Sequence, residues 1–244
     1  MSEASLMPTE VGCVSDKAVV ARSPIEPAPP VVVADGWEVS GRRAAAEFTI
    51  TDCTPLTKLQ VRAPISGQAA AALGVRFGRA GAGAGPAGAG PAGTLVVGSG
   101  PGEWLLLAPP GQARALEPER IATRAPGESV TWVDLTHGRA LVRLSGTDGP
   151  RLLAKLCGID LGEEVTPDGA AFRTSVAALA TDVIRDDLLS DHGRTRSYLL
   201  HCERSSGQYL FDAILRAGAE FGIEIDGFRM PDALPARPDP SPPR

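Results

Sequence analysis

The chain has 244 residues, which is enough for one large domain or two small ones and for an ordinary buried core. Its formal net charge of −5 provides no basic surface for nucleic acid or for an anionic membrane. The four cysteines, Cys13, Cys53, Cys157 and Cys202, lie far apart without the spacing of a zinc site, so we expect reduced thiols in a cytoplasmic protein.

No stretch of the sequence approaches the ~20 consecutive apolar residues that a membrane-spanning helix needs. The first thirty residues also lack the continuous apolar segment of a secretory signal peptide. We therefore expect a soluble, unexported protein without nucleic-acid or membrane partners. Aromatic residues make up only 5% of the chain, so its alanine-rich core is expected to be thin and to rely on packing against a partner.

The composition divides the chain into three segments. Residues 1–45 hold several prolines between short apolar runs and show no helical or strand period, which predicts a disordered or partner-wrapped arm. Regular structure is expected to begin near Phe48, and residues 46–228 are predicted to form the folded domain. Residues 229–244 are rich in proline and are predicted to form an extended tail.

The first half of the domain alternates apolar, β-branched runs with glycine and proline, a pattern typical of strands and turns. A run of glycine and alanine interrupts it, and such a run is expected to stay a flexible loop because ordering glycine costs much backbone entropy. The predicted elements are a strand at 56–63, a short helix at 67–73, the Gly/Ala-rich loop at 78–93, a hairpin of strands at 94–97 and 103–108, and a weak helix at 111–124.

A central stretch at 130–159 contains two strand patterns followed by a helix signal. Residues 130–135 and 139–144 are predicted to pair as a hairpin around the turn at 136–138. A cluster of helix-capping residues and Pro150 then predict a helix that begins near Gly149. Gly158 follows the last apolar residue of this helix, where a left-handed C-cap is expected.

The last part of the domain contains further strands and one amphipathic helix. We predict one or two strands at 172–184, a charged turn at 185–196 and a strand at 197–202. The helix that follows ends at Gly222 and has one apolar face, formed by Leu210, Ile214, Ala217 and Phe221. This order predicts an α+β fold with two similar halves, near 56–124 and 130–225, each an antiparallel sheet with helices packed on one face.

Two histidines have polar neighbours in the sequence. His137 lies in a turn beside Asp134, and such a pair could act as an oriented base, although polar residues between strands more often satisfy the turn backbone. We interpret this pair as structural. His201 and Cys202 are adjacent in a predicted strand and therefore point to opposite faces, so we interpret both as ordinary strand residues.

Acidic residues cluster around the predicted turn at 185–196 but lack the fixed loop spacing of a calcium site, so we predict a solvated acidic loop. The cluster comprises Asp182, Asp186, Asp187, Asp191 and His192. The glycine run Gly98–Gly102 is a weak phosphate-loop signal because it lacks both the G-K-[ST] ending and a strand-to-helix context. From the residues alone, we assign no catalytic, cofactor-binding or metal-binding residue.

Four segments, in this order, resemble the gamma subunit of heterotetrameric sarcosine oxidase, and with the linking strands they cover about Leu56 to Ile225. The segments are 100–106; 133–139 running into 142–146; 152–157; and 198–210 with 221–223. The Gly/Ala-rich run and both proline-rich ends are extra to the family core. The resemblance implies a fold similar to the folate-binding domain of glycine-cleavage aminomethyltransferases, in agreement with the two-half α+β prediction.

The resemblance also implies a function for the chain as a non-catalytic, structural subunit. The complex would oxidatively demethylate sarcosine to glycine and pass the one-carbon unit to tetrahydrofolate. Its FAD, FMN, NAD, tetrahydrofolate and zinc are expected on the alpha, beta and delta subunits, which would be the partners of this chain. The chain itself is expected to bind no cofactor or metal and to carry no catalytic residue.

Two alternatives stay open at this point. A sister complex could act on another N-methyl amino acid, such as N-methylglutamate or dimethylglycine, because substrate choice would lie in the beta subunit. The chain could also be a free-standing folate-binding protein, either an aminomethyltransferase or an iron–sulfur assembly factor of the same fold. Against this, the K-G-C-Y-x-G-Q-E segment of the assembly factors has no counterpart near residues 172–185, and the aminomethyltransferases are longer.

Overall fold

The computed structural model describes residues 19–82, 93–116, 125–190 and 193–229. The strands within these ranges are β1 (Ala21–Arg22), β2 (Val31–Ala34), β3 (Trp37–Ser40), β4 (Thr49–Asp52), β5 (Thr57–Arg62), β6 (Ala80–Gly81), β7 (Leu95–Gly100), β8 (Glu103–Ala108), β9 (Thr131–Asp134), β10 (Arg139–Ser145), β11 (Ala171–Val176), β12 (Leu179–Arg185), β13 (Leu188–Ser190), β14 (Gly193–Thr195), β15 (Ser197–Glu203) and β16 (Glu224–Ile225). The α-helices are α1 (Gln68–Leu73), α2 (Gly149–Leu153) and α3 (Gly207–Gly218).

The larger sheet has six strands in the order β11-β12-β15-β10-β4-β16. All neighbours are antiparallel except β16 and β4, and the longest register runs from Arg139 opposite Glu203 to Ser145 opposite Ser197. Helices α2 and α3 cover its outer face, where Leu152 and Leu210 pack in one apolar cluster with strand residues such as Val142.

The second sheet has five antiparallel strands in the order β6-β7-β8-β5-β9. Helix α1 covers its outer face, and Leu73 packs there with Leu59, Val61 and Leu106. The inner faces of the two sheets meet in a central apolar cluster that joins Leu105 and Leu107 of β8 to Leu141 and Leu199 of the six-stranded sheet. The prediction of an α+β fold with two sheets and helices on one face of each is therefore confirmed, and both sheets are antiparallel apart from the pair of β16 and β4.

The N-terminal segment corrects the predicted arm. Residues 21–40 form a small sheet of order β1-β3-β2, so regular structure begins well before Phe48. Trp37 is buried in the central cluster, and Ile25 is buried beneath helix α3. Short strands interrupted by prolines leave no periodic pattern, which explains why the sequence predicted an arm. Residues 1–18 lie outside the described ranges.

The central hairpin prediction was also wrong. Strands β9 and β10 form at the predicted positions, but β9 pairs with β5 and β10 pairs with β15 and β4. Because β10 has a neighbour on each edge, it has no free edge for β9. The turn between them instead carries the chain from one sheet to the other, and the Leu135 N–H donates to the Lys58 carbonyl oxygen at 2.8 Å.

The other element predictions are confirmed in most places. The hairpin of β7 and β8, helix α1, the start of α2 at Gly149, and the end of the last helical segment at Gly222 are as predicted. Gly158, however, is not a left-handed cap, because α2 ends at Ala154 in a right-handed conformation and hydrogen-bonded turns follow.

Three further predictions are only partly covered by the described ranges. The Gly/Ala-rich segment begins with strand β6, which pairs with β7, so its first residues are not a loop, while 83–92 lie outside those ranges. The weak helix is a 3₁₀ turn at Ala113–Leu116, and 117–124 are not described. Of the predicted C-terminal tail, residues 230–244 are not described.

Candidate functional site

The glycine run Gly98–Gly102 has a structural explanation. A Cβ atom at Gly98 would lie 2.2 Å from the Arg76 carbonyl oxygen, so only glycine allows this close approach of two backbones. Gly102 has φ +71° in the turn between β7 and β8, and a Cβ atom there would lie 2.7 Å from the Ala63 carbonyl oxygen. The run therefore shapes a hairpin and lacks the architecture of a phosphate loop.

His137 and Asp134 do not form the arrangement of a histidine base oriented by a carboxylate. The Asp134 carboxylate accepts a hydrogen bond from the Thr136 N–H at 2.8 Å and so satisfies the turn backbone. The His137 ring stacks on Trp37, with ring centroids 4.8 Å apart and planes 10° apart. The structural interpretation of both residues is confirmed.

The acidic cluster around 185–196 is not a solvated loop, which corrects the sequence interpretation. Asp186 and Asp187 are both buried. Arg143, on the inner face of β10, donates to the Asp186 carboxylate at 2.6 Å and to the Ser197 hydroxyl at 2.8 Å. Asp191 and His192 lie outside the described ranges.

Asp187 has its own arginine, and this pair anchors a neighbouring loop. Arg185 donates two hydrogen bonds to the Asp187 carboxylate, at 3.1 and 2.9 Å, and one to the Thr166 carbonyl oxygen at 2.6 Å. Its guanidinium also lies 2.8 Å from the Glu163 carboxylate, and this hydrogen bond holds the pKa of Glu163 below its usual range. The charges of this buried group are thus paired internally, which is how proteins keep such groups away from water.

His201 belongs to a polar chain and is not an ordinary strand residue. Arg173 donates to Asp182 at 2.6 Å, and the second Asp182 carboxylate oxygen lies 3.0 Å from His201 Nδ1. Burial lowers the pKa of His201, while Asp182 acts in the opposite direction. The carboxylate fixes the tautomer with the proton on Nδ1, so Nε2 is left as an acceptor. The expected opposite orientation of Cys202 is confirmed, since its side chain packs in the cluster beneath the helices.

Lys58 is a buried polar residue that the sequence analysis missed. Its ammonium group donates to three backbone carbonyl oxygens, those of Thr54 at 2.7 Å, Leu56 at 2.8 Å and Thr136 at 3.3 Å. Burial lowers the pKa of Lys58 to about 7, and the charge of Asp52 opposes this shift. No local sequence signal distinguishes a lysine that binds the backbone of two turns from one that faces water.

A small crevice lies where the N-terminal sheet meets the C-terminal end of the described chain. It has a volume of about 10 Å³, and its lining includes Asp52, Asp226 and Phe228. This volume holds about one water molecule and is far below the ~300 Å³ of a ligand pocket. Burial also raises the pKa of Asp52.

Most of the buried polar groups described above form hydrogen bonds within the fold. Among the described residues, three buried side-chain atoms have no hydrogen-bond partner: Tyr198 Oη, His201 Nε2 and Arg204 Nη1. No three histidine, cysteine or acidic side chains within the described ranges lie close enough to hold a metal ion. The oriented His201 imidazole is chemically the most capable group, because it can accept a hydrogen bond or a proton at Nε2.

The chain was compared with known proteins by sequence and by structure. No family model matches it, and no curated protein matches its sequence. A chain of the heterotetrameric sarcosine oxidase from Corynebacterium sp. U-96 is similar in structure, with a TM-score of 0.55 and 23% identity over 73% of this chain and 88% of that chain. The glycine cleavage system aminomethyltransferase T from Bartonella henselae gives a TM-score of 0.59 and 17% identity over 81% of this chain and 55% of that chain.

Both similarities concern the fold. This chain spans about half the length of the aminomethyltransferase and most of the length of the sarcosine oxidase chain. Within the described ranges, none of the helices is both long and apolar enough to cross a membrane. The chain has an aminomethyltransferase-like fold of the α+β class.

Proposed function

We propose that this chain is a non-catalytic, gamma-type subunit of a heterotetrameric sarcosine oxidase. The observation that carries this proposal is the extent of the two structural similarities. The chain matches 88% of a sarcosine oxidase chain but only 55% of an aminomethyltransferase, so its size fits a subunit of the complex better than a complete enzyme.

The polar groups of the chain support a structural role. Lys58 and Arg185 are buried and Arg143 is largely buried, and all three donate to carboxylates or carbonyl oxygens of the same chain. A side chain whose donors are used in this way is not available to bind an anionic substrate. In the proposed complex, the alpha, beta and delta subunits hold FAD, FMN, NAD, tetrahydrofolate and zinc, and sarcosine is demethylated there.

The test is purification of the tagged protein from its native cell. We expect flavoprotein chains to co-purify, a yellow absorption spectrum, and peroxide release that depends on sarcosine. The matched control is the partner preparation from cells that lack this chain, which should retain flavin if the cofactors lie on the partners. Activity on N-methylglutamate or dimethylglycine in place of sarcosine would mean that the chain belongs to a sister complex.

A second candidate, a stand-alone folate-binding protein, is favoured by the similarity to the aminomethyltransferase over 81% of this chain. Titration of the purified chain with tetrahydrofolate, followed by calorimetry, distinguishes the two functions. A colourless monomer that binds tetrahydrofolate stoichiometrically would contradict the subunit proposal.

A further inference from the structure

Strand β2 presents an unusual surface at the edge of the N-terminal sheet. The sheet order is β1-β3-β2, so among the strands of the described ranges β2 has a neighbour on one side only. Its first three residues are all valines, and their side chains are 50%, 43% and 62% exposed at Val31, Val32 and Val33. Three consecutive exposed apolar residues in a strand are uncommon unless they have a function.

The backbone of β2 leaves two residues open for pairing. Hydrogen bonding to β3 alternates along an antiparallel pair, and the Gly41 N–H donates to the Pro30 carbonyl oxygen at 2.7 Å. Counting from this bond, Val32 and Ala34 also bond to β3, whereas the N–H and C=O groups of Val31 and Val33 point to the open edge. Within the described part of the chain, neither residue has a backbone hydrogen bond on that side.

Natural proteins usually protect such an edge. Protective features include charged side chains, proline within the strand or a β-bulge that twists the edge away. Between Val31 and Ala34 the strand contains none of these, and its register with β3 is regular. Beneath it, Val39 and Trp37 of β3 are buried, so the hairpin is held firmly against the core. As far as the described ranges extend, the edge therefore has none of these protective features, and β3 beside it is anchored in the core.

The size of the edge indicates which occupant it fits. A strand of four residues is about 13 Å long, and three half-exposed valines fall far short of the ~800 Å² per partner that a stable pair needs. A second copy of this chain would also bring another net charge of −5. The occupant must therefore make further contacts elsewhere, as a larger and different protein can.

We propose that β2 is a docking edge for an extended, apolar strand of the partner subunit, which would join the N-terminal sheet beside Val31 and Val33. This inference rests on the proposed function, since it names the surface through which the subunit binds its complex. The partner strand would exchange main-chain hydrogen bonds with Val31 and Val33, and its apolar side chains would cover the valines on both faces.

Hydrogen exchange of single amides tests the proposal on the unmodified protein. The Val31 and Val33 amides should exchange quickly in the isolated chain and at least tenfold more slowly in the purified complex. The Val32 and Ala34 amides, which bond to β3, provide the internal control and should be protected in both. If Val31 and Val33 exchange equally fast in the complex, the proposal is wrong although the subunit function stands.

A pair of variants tests the same surface independently. Val33→Pro removes the outward N–H without removing a bond to β3, and proline is tolerated on edge strands. Val33→Thr keeps both the N–H and the β-branched shape. We expect Val33→Pro to reduce the co-purified partner at least tenfold relative to Val33→Thr, with similar melting temperatures for the two.

The remaining outcomes distinguish a failure of the docking edge from a failure of the proposed function. Equal recovery of partner with both variants would overturn the docking edge alone. Failure to recover any partner with the wild-type chain would overturn the proposed function and the docking edge together. A dimer of the isolated chain with protected Val31 and Val33 amides would show that a second copy is the occupant and that the proposal is wrong.

Discussion

Lys58 is completely buried and forms three hydrogen bonds to backbone carbonyl oxygens, so its protonation is expected to affect the stability of the core. Its pKa is about 7 in the folded protein and close to 10.4 in an unfolded chain. Between these values the unfolded state binds more protons, so the free energy of unfolding rises with pH, by at most about 1.4 kcal/mol per pH unit.

Lys58→Met is expected to remove this pH dependence, because methionine is similar in length and does not titrate. The unfolding free energy of the wild type, minus that of Lys58→Met, should rise from pH 7 to pH 10. Urea denaturation at each pH measures both proteins, and groups common to the two cancel in the difference. A difference that stays constant or falls with pH would contradict the low pKa of Lys58.

His201 is expected to make the stability depend on pH in the same direction as Lys58, but in a lower pH range. Burial lowers its pKa in the folded state below the 6.5 of an unfolded histidine, so the unfolded state binds more protons below pH 6.5. Stability should therefore fall as the pH drops from 7.5 to 5.5. Burial raises the pKa of Asp182, but its hydrogen bonds to His201 and Arg173 outweigh this effect and hold the pKa below its usual value. Asp182 therefore does not titrate between pH 7.5 and 5.5.

His201→Asn is the matched variant for this prediction. Its amide can donate to Asp182 in place of Nδ1, but it does not titrate. We expect the wild type to lose more unfolding free energy than His201→Asn between pH 7.5 and 5.5, by at most about 1.4 kcal/mol per pH unit. Parallel pH profiles from urea denaturation would show that His201 does not control acid stability.

At the level of elements, the segment before β2 is expected to be part of the folded core. Ile25 is 1% exposed and packs with residues of α3, and the neighbouring Glu26 N–H donates to Gln208 at 2.7 Å. Ile25→Ala should therefore cost about 2–4 kcal/mol of unfolding free energy, as buried large-to-small substitutions do. Val19→Ala, at a side chain that is 95% exposed, is the control and should change stability by less than about 0.5 kcal/mol. Equal melting curves for both variants would mean that the segment is not anchored.

Most strands could be predicted from the sequence, but their partners could not. Turn residues mark where β9 and β10 begin and end, yet nothing local shows that these strands join different sheets. Pairing depends on free strand edges, which are set by distant segments such as β4 and β15. Predicting a hairpin from adjacency alone therefore failed here, although it succeeded for β7 and β8, where a two-residue turn leaves little choice.

The polar pairs inside the fold could not be predicted from the sequence for a related reason. Arg143 and Asp186 are separated by 43 residues, and Asp182 and His201 by 19, so each group reads as a surface charge when its partner is unknown. Sequence patterns assign charged residues to the surface because isolated buried charges are unfavourable. A buried pair reverses this assignment, and only the fold shows that the two groups meet.

For the molecule as a whole, the central cluster between the sheets is expected to make the described fold a single cooperative unit. Leu199 lies on β15 of the six-stranded sheet, yet it packs in the same cluster as Leu105 and Leu107 of the five-stranded sheet. Leu199→Ala should lower the opening free energy of amides in β8 as much as in β15, by about 2–5 kcal/mol. Native-state hydrogen exchange measures both strands in one sample.

If only β15 is affected, each sheet unfolds separately, and the central cluster contributes packing without coupling the two halves. Equal losses would instead show that the contact between the sheets couples the two halves, although few aromatic residues are available to fill the core.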